Sequence, residues 1–339
     1  VMVGPQSPPS GRWQEMPLAA RPLGETPVSP RYAVFDIGSN SVKFLVAEWS
    51  GSDFRVLDHQ SFTTRLVEGV LTTGELAEDA VARTEEVLRR LQDAADRWQA
   101  DRRLAAATSA VRDSRNRKQF LKRIGQLLDC PVLLLSGEEE ADITFQGVAA
   151  DPALQSRDLL VTDVGGGSSQ WIQGRHPRIE TRRSLPLGCI RVRDRFVCRY
   201  PIGGKLLASM LLTLEKQIQE ALRDFSPRGR ALVAVGGTAT SLAALIQELP
   251  QFDLEKLHLF SVETDTLQRT LEELSRLDLP HLQSLPGVPS KRADIFVPGI
   301  AVFFSTLAAL GLDGLTVSVR GLRHGLVERL RQSCFASFS

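Results

Sequence analysis

Little in this chain would fix a metal or a covalent framework by itself. Its 339 residues hold four cysteines, Cys130, Cys189, Cys198 and Cys334, with no short spacing between any two. There is no CxxC and no HExxH, which excludes the common structural and catalytic zinc signatures. Scattered cysteines of this kind fit packing roles in a reducing cytoplasm. An excess of one charge is also missing: 41 Lys and Arg stand against 40 Asp and Glu. A general binder of nucleic acid or of a membrane surface would show a basic excess, so neither partner is expected. No apolar run is read as reaching membrane-spanning length, and no signal-peptide core is present. The five histidines, at 59, 176, 258, 281 and 324, are dispersed and read as packing or surface residues. The length allows two domains of ordinary size.

What is present is a repeated loop. Leu159–Thr162 is an apolar run that ends in Asp163-Val164-Gly165-Gly166-Gly167-Ser168-Ser169-Gln170. A buried strand entering a glycine turn fits that pattern. Backbone N–H groups without a Cβ beside them can close around an anion, and the serines add donors. Asp163 would repel a phosphate, so it makes sense with a divalent cation or a polarised water between them. Alone, the stretch could equally be a hairpin with a glycine turn. The same grammar recurs in Val34-Phe35-Asp36-Ile37-Gly38-Ser39-Asn40-Ser41-Val42-Lys43. Each loop is followed by a small-polar loop: Thr108-Ser109 lies 72 residues after Asp36, and Thr238, in Gly236-Gly237-Thr238, lies 75 after Asp163. A supersecondary unit occurring twice at matched spacing points to a duplicated α/β fold.

Between the loops the chain reads as alternating strands and helices. Strands are expected at 32–37, 42–48, 53–60, 103–107, 131–135, 169–174, 178–185, 231–235 and 314–318. Helices are expected at 79–99, 114–129, from Glu138, at 204–224, 236–249, 265–276, 291–310 and 321–333. Asp265 and Gln268 have the spacing of a capping box. The 114–129 segment carries Arg115, Arg117, Lys118, Lys122 and Arg123 on one face, either a solvated surface or a track for a polyanion. Residues 1–30 hold seven prolines and are expected to be a flexible extension. Pro201-Ile202-Gly203-Gly204-Lys205 is not a Walker A loop, because Arg199 stands where the first glycine is required.

Six segments, in order, resemble the exopolyphosphatase/guanosine pentaphosphate phosphatase (Ppx/GppA) family, within the superfamily of sugar kinases and actin. They are Asp36–Ser41, Thr108–Arg112, Ser136-Gly137-Glu138-Glu139-Glu140-Ala141, Asp163–Ser168, Phe296–Gly299 and Gly321–Leu326, which includes His324. The resemblance implies two duplicated ribonuclease H-like (actin-like ATPase) domains around an active-site cleft. Domain I would be 31–136 plus the helix 321–333, and domain II 137–320. It implies hydrolysis of a terminal phosphoanhydride, of inorganic polyphosphate first and of guanosine pentaphosphate as the alternative. It also implies Mg²⁺ or Mn²⁺, a homodimer, and a short form without the C-terminal helical domains of longer relatives.

The residues expected to act are Glu140 as general base, with Arg112 and Asp163. Gly38, Ser39, Asn40, Ser41, Lys43, Thr108, Ser109, Gly165, Gly166, Gly167, Ser168, Gly236, Gly237 and Thr238 are expected to hold phosphate. Asp163, Asp36 and Gln170 are expected at the metal. Gln170 departs from the family's usual glutamate and keeps its carbonyl oxygen without the charge. That departure keeps a non-catalytic polyphosphate or nucleotide sensor among the readings. A kinase of the same superfamily is disfavoured by the acidic Ser136–Ala141 motif and the short length.

Overall fold

The computed structural model describes residues 29–335 except residue 52. The proline-rich extension therefore lies, apart from Ser29 and Pro30, outside the described residues.

The first half holds β1 (Arg31–Ile37), β2 (Ser41–Ser50) and β3 (Asp53–Thr63), then helices α1 (Val70–Thr73) and α2 (Glu78–Arg97). Strand β4 (Arg102–Ala107), helices α3 (Ser109–Arg112) and α4 (Arg117–Leu127) and strand β5 (Val132–Leu134) complete it. Helix α5 (Gly137–Ala149) leads to the second half, with β6 (Leu159–Val164), β7 (Ser169–Arg175) and β8 (Arg178–Leu185). Helices α6 (Cys189–Phe196) and α7 (Gly204–Ala221) precede β9 (Ala231–Val235). Then come α8 (Gly236–Ile246), α9 (Leu254–Leu257), β10 (Ser261–Glu263), α10 (Thr264–Ser275), α11 (Leu279–Ser284) and α12 (Ala293–Leu310). Strand β11 (Gly314–Val317) and helix α13 (Leu322–Phe335) close the chain.

The first sheet has the order β3-β2-β1-β4-β5, and the second reads β8-β7-β6-β9-β11 with β10 added at its edge. In both, an antiparallel three-strand meander continues into parallel strands. This is the duplicated ribonuclease H-like, actin-like ATPase architecture. Strands β1 and β6 are central and apolar on both faces because helices cover each side. Phe35 and Ile37 enter the main core, while Tyr32 and Val34 face the smaller core that α13 completes with Leu322, Leu326 and Val327. Helix α5 covers the second sheet in the same way through Ala141, Phe145 and Val148. Each such fully buried apolar side chain contributes ~1.5–3 kcal/mol. Helices α5 and α13 cross at bare backbone. A Cβ on Gly147 would strike Gly321 and Gly325, and one on Gly325 would strike the Ile143 carbonyl.

Four expectations are corrected. The helix expected at 114–129 is α4, which starts only at Arg117, after a turn through Asp113–Asn116 that separates it from α3. The Asn116 amide holds both the N–H and the carbonyl of Leu76, each at 3.0 Å, a long-range anchor that a local pattern does not show. Arg123, from the basic face, pairs with Glu85 at 2.6 Å and Glu78 at 2.7 Å on α2, so that face is partly neutralised. Helix α10 starts from Glu263 without a side-chain cap, which leaves Asp265 inside the first turn and no capping box. Finally, Ser290–Leu310 is long and apolar enough to cross a membrane by length and composition, with 72% of its most apolar window buried inside the protein. A core helix enclosed by α6, α7 and α10 has no need of a polar face, so it matches a membrane span in composition.

Candidate active site

The two hairpins place their acids in equivalent positions. Across β1 and β2, Asp36 lies directly opposite Lys43, and the Gly38 N–H closes the turn on the Ser41 carbonyl at 3.1 Å. Across β6 and β7, Asp163 lies opposite Gln170, and the Gly165 N–H bonds the Ser168 carbonyl at 3.0 Å. Residues directly opposed in an antiparallel pair share a face. The Lys43 ammonium is 3.7 Å from the Asp36 carboxylate. The Gln170 amide nitrogen donates to Ser168 Oγ at 2.9 Å and Ser184 Oγ at 3.2 Å, and its Oε1 is buried without a partner.

The loops meet each other. Gly167 packs so closely on Ser109 and Ser39 that a Cβ would come within 2.5 Å of the Ser109 hydroxyl. The Gly165 and Gly166 carbonyls accept from Cys189 and Ile190 at the start of α6. The Gly166 and Gly167 amides donate to no acceptor among the described residues. Ser39 Oγ accepts from the Ala110 N–H at 3.0 Å, so its hydroxyl also joins the first hairpin to α3. Helix α8 begins at Gly236 with no side-chain cap, leaving first-turn N–H groups for an anion.

Glu140 enters from α5. Ser136 and Glu139 form a reciprocal capping box, and Glu138 pairs with Arg182 at 3.3 Å. The three glutamates thus divide: two serve the helix surface and Glu140 turns inward, 8% exposed. Arg112 donates through one terminal nitrogen to the Leu135 carbonyl at 2.8 Å and to Glu140 at 3.2 Å. Burial pushes the Glu140 carboxyl up to about 8; Asp163 and Asp36 push the same way and Arg112 opposes. Burial also raises Asp163, with Asp36 adding and Lys43 and Arg292 opposing.

A cavity of about 310 Å³ holds Asp36, Lys43, Asp163, Gly236 and Gly237 in its lining. It also contains Arg292 and Arg323, which the motif reading did not place at the site. Arg292 has no hydrogen-bonded or ion-paired carboxylate among the described residues. The Arg292 guanidinium packs into the space left by Gly237, where a Cβ would displace it. The available sequence signal was an arginine at the polar start of an otherwise apolar helix. Arg323 is anchored to the Phe44 carbonyl at 2.9 Å. His324 is buried against Phe54 and lines the same cavity, and burial holds it well below the usual imidazole range. A larger cavity of about 610 Å³, at the far edge of the second sheet, contains none of the motif residues.

An acid from each hairpin, Lys43, the start of α8 and two inward-facing arginines line one cleft, while the glycine-loop residues, Arg112 and Glu140 are not in its lining; such a cleft suits an enzyme that acts on phosphoryl groups. The chain belongs to the Ppx/GppA phosphatase family, whose model matches residues 45–333. It is a phosphoanhydride hydrolase. It is 27% identical over 315 residues to exopolyphosphatase 2 of Mycobacterium tuberculosis, covering 88% of this chain and 98% of that one. It is 27% identical over 300 residues to a bifunctional 3-dehydroquinate synthase/phosphatase of Fusobacterium nucleatum, spanning only 44% of that longer protein. Among solved structures, the Aquifex aeolicus family member superposes with a TM-score of 0.78 at 27% identity, over 89% of this chain and 98% of that one. A Cytophaga hutchinsonii exopolyphosphatase shares the fold, with a TM-score of 0.80 at 24% identity over 88% of this chain and 97% of that one.

Phosphatases of this family generally depend on a divalent metal. Among the described residues no group of three or more His, Cys, Asp or Glu could cage one. Mg²⁺ needs no such cage, since it commonly takes one or two carboxylates together with water and substrate phosphate. Asp163, without an ion-pair partner among the described residues, and the orphaned Gln170 Oε1 beside it fit that kind of site.

Proposed function

We propose that the protein removes the terminal phosphate from inorganic polyphosphate. The observation that carries this reading is Glu140: a buried carboxyl raised to about 8, held by Arg112 and facing Asp163 and Asp36. A carboxyl in that range can take a proton near neutral pH. The amides of Gly166 and Gly167 and the start of α8 seat phosphoryl oxygens. Lys43, Arg112 and Arg292 offset their charge, as a phosphoryl-transfer site requires. Glu140 receives a proton from the attacking water, whose oxygen bonds the terminal phosphorus as the bridging P–O bond breaks, giving orthophosphate and a polyphosphate one unit shorter. A bound Mg²⁺ or Mn²⁺, held by Asp163 and Gln170 with Asp36 nearby, would supply charge neutralisation at the phosphate. The reading makes the enzyme a cytoplasmic homodimer, which light scattering on the purified protein checks for assembly.

A second reading, release of the terminal phosphate of guanosine pentaphosphate, is favoured by Phe252. This ring is 46% exposed and lines the cavity beside Leu254 and Pro289. An aromatic face beside an apolar wall can stack a base.

The test is phosphate release by the full chain with Mg²⁺ from polyphosphates of defined length and from guanosine pentaphosphate. Glu140→Gln should lower turnover by about 10³-fold with the fold intact. Near-normal turnover in that folded variant would sink the assignment. Release from the nucleotide alone would promote the second reading. Tight binding of polyphosphate without release would make the protein a sensor.

A further inference from the structure

Asp113 follows Arg112 at the end of α3 and is not one of the residues assigned to the site so far. Its carboxylate has three neighbours. One oxygen accepts from Ser109 Oγ at 3.2 Å and from an Arg191 terminal nitrogen at 2.7 Å. The other lies 3.7 Å from Arg112 Nε. Arg112 is therefore hydrogen-bonded on one side of its planar fork to Glu140 and the Leu135 carbonyl, and on the other side its Nε lies at ion-pair distance, beyond hydrogen-bond reach, from Asp113.

Arg191 comes from the opposite half of the molecule. It sits in the first turn of α6, whose start is fixed by the Gly165 and Gly166 carbonyls of the second glycine loop. Among the described residues its side chain bonds only Asp113, and its Nε is buried without a partner. Arg191, Asp113, Arg112 and Glu140 thus form a row of alternating charge. The row runs from the second glycine loop, across the contact between Gly167 and Ser109, to the inward-facing glutamate.

We infer that Asp113 and Arg191 are a positioning pair for the phosphoanhydride hydrolase site. When the two loops meet, Arg191 fixes Asp113, and Asp113 sets the plane of the Arg112 guanidinium against Glu140. The inference rests on the hydrolytic reading of this cleft. Both partners are about a quarter to a third exposed, at 26% and 34%, and an ion pair so exposed adds little to stability. A structural role and a positioning role therefore separate: the first would move the melting temperature, the second kcat.

The experiment uses full-length protein with Mg²⁺ and polyphosphate, and measures kcat, KM and melting temperature for Asp113→Asn, Arg191→Ala, Arg191→Lys and the double variant Asp113→Asn/Arg191→Ala. Each of the first two should lower kcat at least about tenfold with KM within about threefold, because a misplaced guanidinium acts on the transition state. The double variant should be no worse than Asp113→Asn alone, since the residues act as one unit. Arg191→Lys should recover most of the loss, and the melting temperatures should stay together. The inference is overturned by near-wild-type kcat in Asp113→Asn, by losses that multiply in the double variant, or by losses that track melting. Wild-type protein that releases no phosphate from polyphosphate or from guanosine pentaphosphate overturns the hydrolytic reading itself.

Discussion

The two hairpins are the same device with different charge. In the first, Asp36 faces Lys43, and the acid is neutralised within the protein. In the second, Asp163 faces Gln170, a neutral amide whose Oε1 stays unpartnered. The turns close with the same Gly N–H to Ser carbonyl bond in both. Duplication kept the geometry, and divergence at one cross-strand position divided the labour. One hairpin carries its own cation within ion-pair distance of its acid, and the other has none so close among the described residues.

The largest effect should come from removing the unpaired acid. Asp163→Asn is expected to lower turnover by roughly 10³-fold and to abolish Mn²⁺ binding read by electron paramagnetic resonance, whereas Asp36→Asn should cost only about tenfold and keep the ion. Without metal, Asp163→Asn should also raise the melting temperature, because it removes a half-buried carboxyl that desolvation penalises and that has no ion-pair partner among the described residues. Equal losses in the two variants would break the comparison.

A smaller effect should follow pH. The folded value of Glu140, about 8, lies above its ordinary 4.5, so the fold favours the protonated form. The stability from that proton is fully present below pH 4.5 and is lost as pH rises through about 8. Turnover needs the unprotonated base, so the rate should climb while the melting temperature falls over the same interval. A rate flat between about pH 6 and about pH 9 would remove Glu140 from the role of base. The smallest effect should come from Gln170→Glu. Added ligand charge should tighten Mn²⁺ binding by roughly tenfold, read by titration of the metal alone. Unchanged affinity would place Gln170 outside the metal site.

Much of this was legible in the chain. Both hairpins announce themselves as apolar runs broken by glycine, and their spacing exposes the duplication. The resemblance, with Ala141 following, singles out Glu140 among Glu138, Glu139 and Glu140; helical register and the capping box supply the physical reason that this carboxyl turns inward. Arg292 left no motif, because its place depends on the missing side chain of Gly237, some fifty residues earlier in the chain. The break at Asp113–Asn116 depends on Leu76, and β10 is three residues at a sheet edge, too short to pattern. Local periodicity cannot report such distant partners.

The crossing of α5 and α13 has a mechanical consequence. Backbone lies against backbone there, and Ile143 of α5 shares one core with Leu322, Leu326 and Val327 of α13, so the two helices are locked at a short separation. Glu140 rides seven residues along α5 from Gly147, a lever arm of about 10 Å. A turn of about ten degrees at the crossing would swing that carboxyl by ~2 Å, so the close fit at Gly147 and Gly325 holds a side chain two helical turns away in place.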